Sequence, residues 1–404
     1  MRRIRVAVVC DYPEEGWPSM DLTAEMTLTH LVRDHADEVD AIRVCPPYRR
    51  RAGLVPIRRM ERTSRNFDRL LNRFVDYPRY LRRLARREPF DLFHIVDHSY
   101  AQLVHEVPPG RTIVNCHDLD TFRCLLHPEI EPRPGWFRAL TRRTLSGFQS
   151  AAAISCNSEF TRSAILDHGL VNADIVTTIH VGASLEFGPD PVAEADTALT
   201  QLIGPADLER NVDLLHVGSN IARKRIDVLL RTFAEVRRQI PEARLIKVGG
   251  EFTSEQVALA RDLDIARSIV VLPFLNDRRV LASLYRRVTL VLQPSEVEGF
   301  GLPIAEAMAC GAQILASDLP VLREVACEAA VYRPVGDIAA WGVAATRMVG
   351  DFRSQSDAWR TRRSAGLVRS RLFRWDAHVA RLLDLYRNIA DSHPPRGSGR
   401  NVLR

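Results

Sequence analysis

Short apolar runs rich in β-branched residues recur along the chain, and each stops at a polar or glycine-bearing loop before a stretch with helical spacing. They fall at 6–10, 91–96, 111–116 and 151–156, then at 214–217, 243–248, 269–272, 288–292, 314–317 and 330–332. Runs this short, bounded by turn residues and alternating with helical stretches, read as strands buried on both faces of a parallel sheet. The pattern predicts an α/β protein. Residues 11–21 read as a loop after the first strand, with helical periodicity from Leu22 onward. Between 64 and 87, Phe67, Leu70, Leu71 and Phe74 share one helical face and Tyr77, Tyr80, Leu81 and Leu84 another, with Pro78 breaking the run between them.

A chain of 404 residues is too long for one ordinary core and divides into two domains. The expected limits are 1–200 and 201–372, with the polar, proline-containing stretch 188–207 as linker and a last helix over 373–392. Residues 393–404, with Pro394, Pro395, Gly397 and Gly399, read as a disordered tail.

The hydrophobic fraction of 46% and charged fraction of 26% suit a chain with enough apolar surface to fold, and exclude a disordered one. No apolar run approaches the ~20 residues of a membrane-spanning helix. The basic, then apolar start is cut by Asp11 and reads as a first strand, not a signal peptide. Seven scattered cysteines without a Cys-x-x-Cys pair read as reduced thiols in the cytoplasm.

The net charge of +6 rests almost entirely on arginine, because Lys224 and Lys247 are the only lysines. Arg58, Arg59, Arg62, Arg65, Arg69, Arg73, Arg79, Arg82, Arg83, Arg86 and Arg87 crowd one region. That region is either a solvated face of packed helices or a surface for anionic membrane lipid at the inner face of the membrane, or for an anionic acceptor. No nucleic-acid-binding motif accompanies the arginines, so no nucleic-acid partner is expected.

The chemistry concentrates after the run at 288–292. Glu298-Gly299-Phe300-Gly301-Leu302-Pro303 is a tight turn leading into a helix, with Pro303 suited to its first turn and Gly311 to its stop. Two glycines let the backbone approach a ligand, and the first N–H groups of a helix lack intrahelical partners, which makes an anion site. Glu306 lies one turn into the helix, where an ionised carboxylate can accept two hydrogen bonds from a ribose diol. Glu298 sits on the loop before it. A phosphate site between two diol-binding carboxylates describes a nucleotide-sugar. The alternative is a βα turn shaped by Gly299 and Gly301 with both glutamates in water.

The run from Glu298 through Gly311 resembles the signature of retaining glycosyltransferases of family 4, whose glutamate-x7-glutamate pattern Glu298 and Glu306 meet. The resemblance implies the GT-B fold, two Rossmann-like doubly wound domains facing across a cleft, with the last helix crossing back to the first. It also implies a metal-independent hexosyltransferase that takes a nucleotide-diphosphate sugar as donor substrate, without cofactor or metal, and serves polysaccharide or glycolipid assembly. Asp118-Leu119-Asp120 spells the metal-binding Asp-x-Asp of another glycosyltransferase fold and is discounted on that ground.

By the same resemblance Glu298 holds hydroxyls of the transferred sugar, Gly299, Phe300, Gly301 and Leu302 offer backbone N–H groups to the diphosphate, and Glu306 binds the ribose. Lys224 matches the family's phosphate-binding lysine, but Ser219, after Gly218, stands where relatives carry an arginine. Arg223 then supplies the missing charge, or fewer cations hold the phosphate. His117 contacts the sugar and stabilises its developing positive charge, with Asp118 beside it. Pro273 and Phe274 line the base pocket, with plain packing as the alternative.

Only Gly16 represents the family's usual glycine pair in the first loop, so Gly16 and Trp17 are candidate donor or acceptor contacts. Ser158 is a further candidate, though a helix cap alone explains it. The acceptor is expected to be a saccharide, free or lipid-linked. Rival readings are a noncatalytic nucleotide-sugar-binding protein, or another enzyme of this fold such as a sugar phosphorylase or epimerase.

Overall fold

A computed structural model describes residues 2–51, 61–205 and 212–392. The chain divides into two compact units, one of Met1–His180 with Trp375–Arg404 and one of Val181–Arg374. Each holds a six-stranded sheet whose paired strands are all parallel. The expected disordered tail, together with Arg58 and Arg59 and the side chains of Arg62 and Arg65, lies outside the described residues.

In the first unit the strands are β1 (Ile4–Val9), β2 (Val39–Val44), β3 (Leu92–Ile95), β4 (Thr112–Cys116), β5 (Ala153–Cys156) and β6 (Val176–Thr178), in the order β2-β1-β3-β4-β5-β6. Sequence reasoning passed over β2. It is an edge strand carrying Asp40 and Arg43, so only Val39 and Val44 are buried and the apolar run is broken. Because β1 is flanked by β2 on one side and β3 on the other, the strand order reverses between β1 and β3, where ligands of such sheets bind. Their register pairs Val9 with Ile95, so the chain leaves both strands at one level and brings Asp11 and Asp97 side by side.

Apolar layers cover both faces of this sheet. One includes Tyr12, Tyr77, Phe93 and Tyr100, the other Val6, Val8 and Leu31 with Val379, Leu382 and Leu383 of the closing helix Trp375–Ser392. His94 Nε2–H donates to Asn115 Oδ1 at 2.8 Å, and the Tyr386 hydroxyl donates to His94 Nδ1 at 2.7 Å. Burial pushes the His94 pKa down to about 4, which keeps the ring neutral in this bridge.

Two local corrections follow from backbone chemistry. The first helix is Pro18–Asp34, starting four residues earlier than expected because Pro18 occupies its first turn, where a missing N–H costs nothing. The helices Glu61–Leu71 and Tyr77–Arg87 are not separated by a break: a π turn, Asn72–Asp76, joins them, with Tyr77 N–H donating to Asn72 O. Pro78 has no N–H for the ordinary bond, and the widened turn absorbs the mismatch.

The second unit has β7 (Val212–Val217), β8 (Ala243–Val248), β9 (Ile269–Leu272), β10 (Leu290–Gln293), β11 (Ile314–Ser317) and β12 (Ala330–Arg333), in the order β12-β11-β10-β7-β8-β9. This is the Rossmann order, with its reversal between β7 and β10. The unit begins at Val181, ahead of the expected boundary at 201. The described part of the expected linker, 188–205, is not free, because Ala195, Leu199 and Ile203 give the helix Ala193–Ile203 a buried face, packed by the helix Arg278–Arg287. No described helix is long and apolar enough to cross a membrane.

Candidate active site

The second unit assembles its candidate site at the reversal of strand order, from the loops after β7 and β10. After β7, Gly218 closes on the end of β8: a Cβ built on Gly249, at φ +117°, would lie 2.3 Å from the Gly218 carbonyl oxygen. A short turn, Ala222–Lys224, then ends at Arg225, held left-handed at φ +48° with its guanidinium on Asp227 at 2.9 Å. Arg225 is thereby neutralised within its own loop.

Lys224 Nζ lies 2.6 Å from Glu298 Oε1, and Arg223 Nη1 is 3.6 Å from Glu298 Oε2 while it donates to Val297 O at 3.0 Å. A backbone bond from Glu296 N–H to Arg223 O at 2.8 Å staples the two loops together. Glu298 Oε1 also accepts from Ser295 Oγ at 2.6 Å and Gln293 Nε2 at 2.5 Å. Burial opposes ionisation of Glu298, but the charges of Lys224 and Arg223 prevail and hold its pKa below the usual range. Arg223 thus lies beside Lys224 on the same carboxylate.

Underneath, His216 is buried with Nδ1–H donating to Leu292 O at 2.9 Å, and burial lowers its pKa to about 4. Its Nε2 faces Gly218, where a Cβ would come within 3.2 Å, a tight contact that a side chain there could make only if the His216 ring gave way.

Gly301, left-handed at φ +95°, precedes the helix Leu302–Ala309, with Pro303 in the first turn as expected. Phe300 is buried, its ring edge-on to Phe373 at 5.4 Å, so its side chain is committed to packing. Glu306 is buried in that helix, where the Tyr285 hydroxyl donates to Oε2 at 2.9 Å. Burial raises the Glu306 pKa to about 7. Pro273 and Phe274 are exposed, Phe274 to 44%, on the loop after β9; core packing is thereby excluded for Phe274.

In the first unit the reversal point carries Asp11, Asp97 and His98. Asp97 accepts from Ser99 N–H at 2.9 Å and from the Ser99 hydroxyl, and its Oδ1 is 3.2 Å from His98 Nδ1. Against the penalty of burial, His98, His117 and Ser99 hold Asp97 well below the usual carboxylate range. Asp11 is driven the other way, by burial and then by the Asp97 charge; neither of its oxygens has a donor among the described residues.

His117 sits at the end of β4 with Nε2–H donating to Val96 O at 2.8 Å, which leaves Nδ1 as the acceptor; burial lowers its pKa. Asp118 is 3.7 Å from His98 Nε2 and accepts from Asp120 N–H at 3.0 Å. Gly16 is left-handed at φ +73°, ending the turn Pro13–Glu15, and Trp17 is 41% exposed under the Arg69 guanidinium. Ser158 is corrected by the structure: it is completely buried and caps the helix Glu159–Asp167 through Thr161 N–H, so no sugar reaches it.

Sequence reasoning passed over Gln293, Ser295, His216 and Tyr285 in the second unit, and Asp11, Asp97 and His98 in the first. A signal existed for four of them. A polar residue at the carboxyl end of an apolar strand, as with Gln293, Asp11, Asp97 and His98, is placed where such sheets bind ligands.

Two doubly wound parallel sheets, one with a glycine turn, a helix start and paired lysine and glutamate at its reversal point, define the class as GT-B. Residues 24–187 match Glycosyltransferase Family 4 and residues 206–342 match Glycosyl transferases group 1. The chain has the GT-B fold and is similar to family 4, group 1 glycosyltransferases over these two stretches.

The serotype-specific mannosyltransferase WbdA of Escherichia coli is 29% identical over 283 residues, 67% of this chain and 33% of the relative, so the chain spans about a third of that protein. Sucrose-phosphate synthase of Thermosynechococcus elongatus superposes with a TM-score of 0.73 at 22% identity, covering 96% of this chain and 100% of that one. Anabaena HepE, solved in complex with UDP-glucose, gives 0.67 at 16% identity, covering 96% and 99%. At such identities the two structures speak to fold alone.

Proposed function

We propose that this chain transfers a hexosyl group from a nucleotide-diphosphate sugar to an acceptor hydroxyl, with retention of anomeric configuration, in polysaccharide or glycolipid assembly. The observation that carries the reading is the Lys224–Glu298 pair, held across two loops at the reversal point of the second sheet. The mannosyltransferase name of the Escherichia coli relative makes a mannosyl donor the first to try.

An ammonium has three N–H groups, and the bond to Glu298 leaves others for a diphosphate oxygen. Arg223 and the first-turn amides of the helix Leu302–Ala309 add to the field that stabilises the departing diphosphate. Glu306 receives the ribose diol once ionised. Glu298 Oε1 already accepts three hydrogen bonds, which makes it a poor nucleophile, holds the carboxylate fixed and leaves Oε2 to accept from sugar hydroxyls. The departing diphosphate oxygen then takes the acceptor proton on the same face, and no metal or cofactor enters.

The test is a panel of UDP-, GDP- and ADP-linked mannose and glucose, with sugar release and nucleoside diphosphate measured and the product anomer read by NMR. Turnover of one donor with a retained anomer is expected, reduced on the order of 100-fold or more by Lys224→Ala or Glu306→Ala. His117→Ala tests the role that the resemblance gives to the other unit and is expected to lose most turnover. A chain that binds a donor and never consumes it would instead be a noncatalytic nucleotide-sugar binder.

A further inference from the structure

Past the carboxyl end of β2, Pro46 and Pro47 wall a cavity of about 230 Å³ closed on the other side by the helical run that carries Asp76, Arg79, Tyr80 and Arg83, with Arg49 completing it. Its place is the end of the sheet at which α/β proteins bind ligands. Its volume lies below the roughly 300–1,000 Å³ of pockets that enclose a whole small molecule, so it fits one group of a larger ligand.

The charges in it do not balance. Asp76 is the one carboxylate, and it is engaged by Arg51 Nη2 at 2.6 Å, with Arg49 Nη1 at 3.7 Å. Among the described residues Arg79 and Arg83 have no carboxylate partner, although they stand one helical turn apart on the same face, where like charges repel. Arg49, Arg79 and Arg83 line this one cavity together with two rigid prolines and are exposed to solvent, so three guanidinium groups are available to it as sources of paired N–H donors. A carboxylate presents two oxygens to such a site; a terminal phosphoryl group presents three and carries up to two negative charges.

We propose that this cavity is a phosphomonoester-binding subsite, with Arg49, Arg79 and Arg83 holding the phosphoryl oxygens and Tyr80 lining the group that bears them. On the transfer reading above, the phosphoryl group belongs to the acceptor; the binding itself does not depend on that reading and is measured without turnover. The group comes either from a soluble phosphorylated polyol or from a lipid headgroup.

The experiment titrates the full chain with sn-glycerol 3-phosphate by calorimetry, and in parallel floats it with phosphatidylcholine vesicles with and without phosphatidic acid. The proteins are wild type, Arg79→Ala/Arg83→Ala, Arg83→Lys, and Lys224→Met as a control for the other anion site. At least one probe is expected to bind wild type and Lys224→Met alike, and to weaken about tenfold or more in the double variant, since charged hydrogen bonds are lost. Arg83→Lys, which keeps the charge but loses the paired donors, is expected to weaken it as well. Binding to glycerol phosphate assigns a soluble source; binding only to phosphatidic acid vesicles assigns a headgroup. Failure of both probes, equal binding by the double variant, or loss in Lys224→Met instead overturns the proposal.

Discussion

Glu298 stays ionised in a position where burial alone would protonate it, because Lys224 and Arg223 supply opposite charge at 2.6 and 3.6 Å. Removing one member of such a buried pair strands the other. Lys224→Met is therefore expected to cost about 3 kcal/mol or more of unfolding free energy, and Lys224→Met/Glu298→Gln to recover most of it without recovering turnover. Denaturant titration of both variants checks this; a single variant as stable as wild type contradicts the pairing.

Glu306 behaves oppositely, with its folded pKa raised from 4.5 to about 7 by burial. Between those values the folded chain holds more protons than the unfolded one, so stability falls as pH rises through the interval and stays low above it. Glu306→Gln, which mimics the protonated form, is expected to stabilise the chain by roughly 2–3 kcal/mol at pH 8 and by little below pH 5. Melting at the two pH values decides it; a pH-independent effect would contradict burial as the cause.

At the scale of elements, the strand–turn–helix around Gly301 depends on a backbone only glycine adopts readily. A Cβ there would meet Leu322 Cδ2 at 2.8 Å, but that contact is with a flexible side chain and can relax; φ +95° cannot. Gly301→Ala is expected to cost about 1–3 kcal/mol and to weaken donor binding, measured by unfolding and calorimetry on the same sample.

This element was legible in sequence because its signals are local: apolar strand, glycine, proline two residues on, glutamate at the next turn. Lys224 was singled out by the family resemblance, five residues beyond the position after Gly218. The helix Ala193–Ile203 and edge strand β2 were not, since polar residues facing solvent dilute their apolar faces. The π turn at Asn72–Asp76 shows how a proline that reads as a break is absorbed.

Across the whole molecule, the first unit is completed by residues from the far end of the chain. The closing helix Trp375–Ser392 buries Val379, Leu382, Leu383 and Tyr386 against β-strand residues hundreds of positions earlier in sequence, and the Tyr386–His94 bond spans a separation of 292. Tyr386→Phe leaves a buried ring nitrogen without its donor and is expected to cost about 1–3 kcal/mol. An unchanged unfolding midpoint would show that the bond contributes nothing. Pairings at this range are what the sequence conceals. Tyr285 on Glu306, or Gln293 and Ser295 on Glu298, are set by tertiary packing, and no spacing rule names them in advance.

The central claim is that the loops after β7 and β10 form one diphosphate-sugar site. Calorimetric titration with the best nucleotide-sugar of the panel, on wild type, Lys224→Met and Glu306→Gln at pH 8, tests it most directly. The account predicts binding by wild type and a loss of about tenfold or more in each variant; either variant binding the donor as tightly as wild type would contradict it.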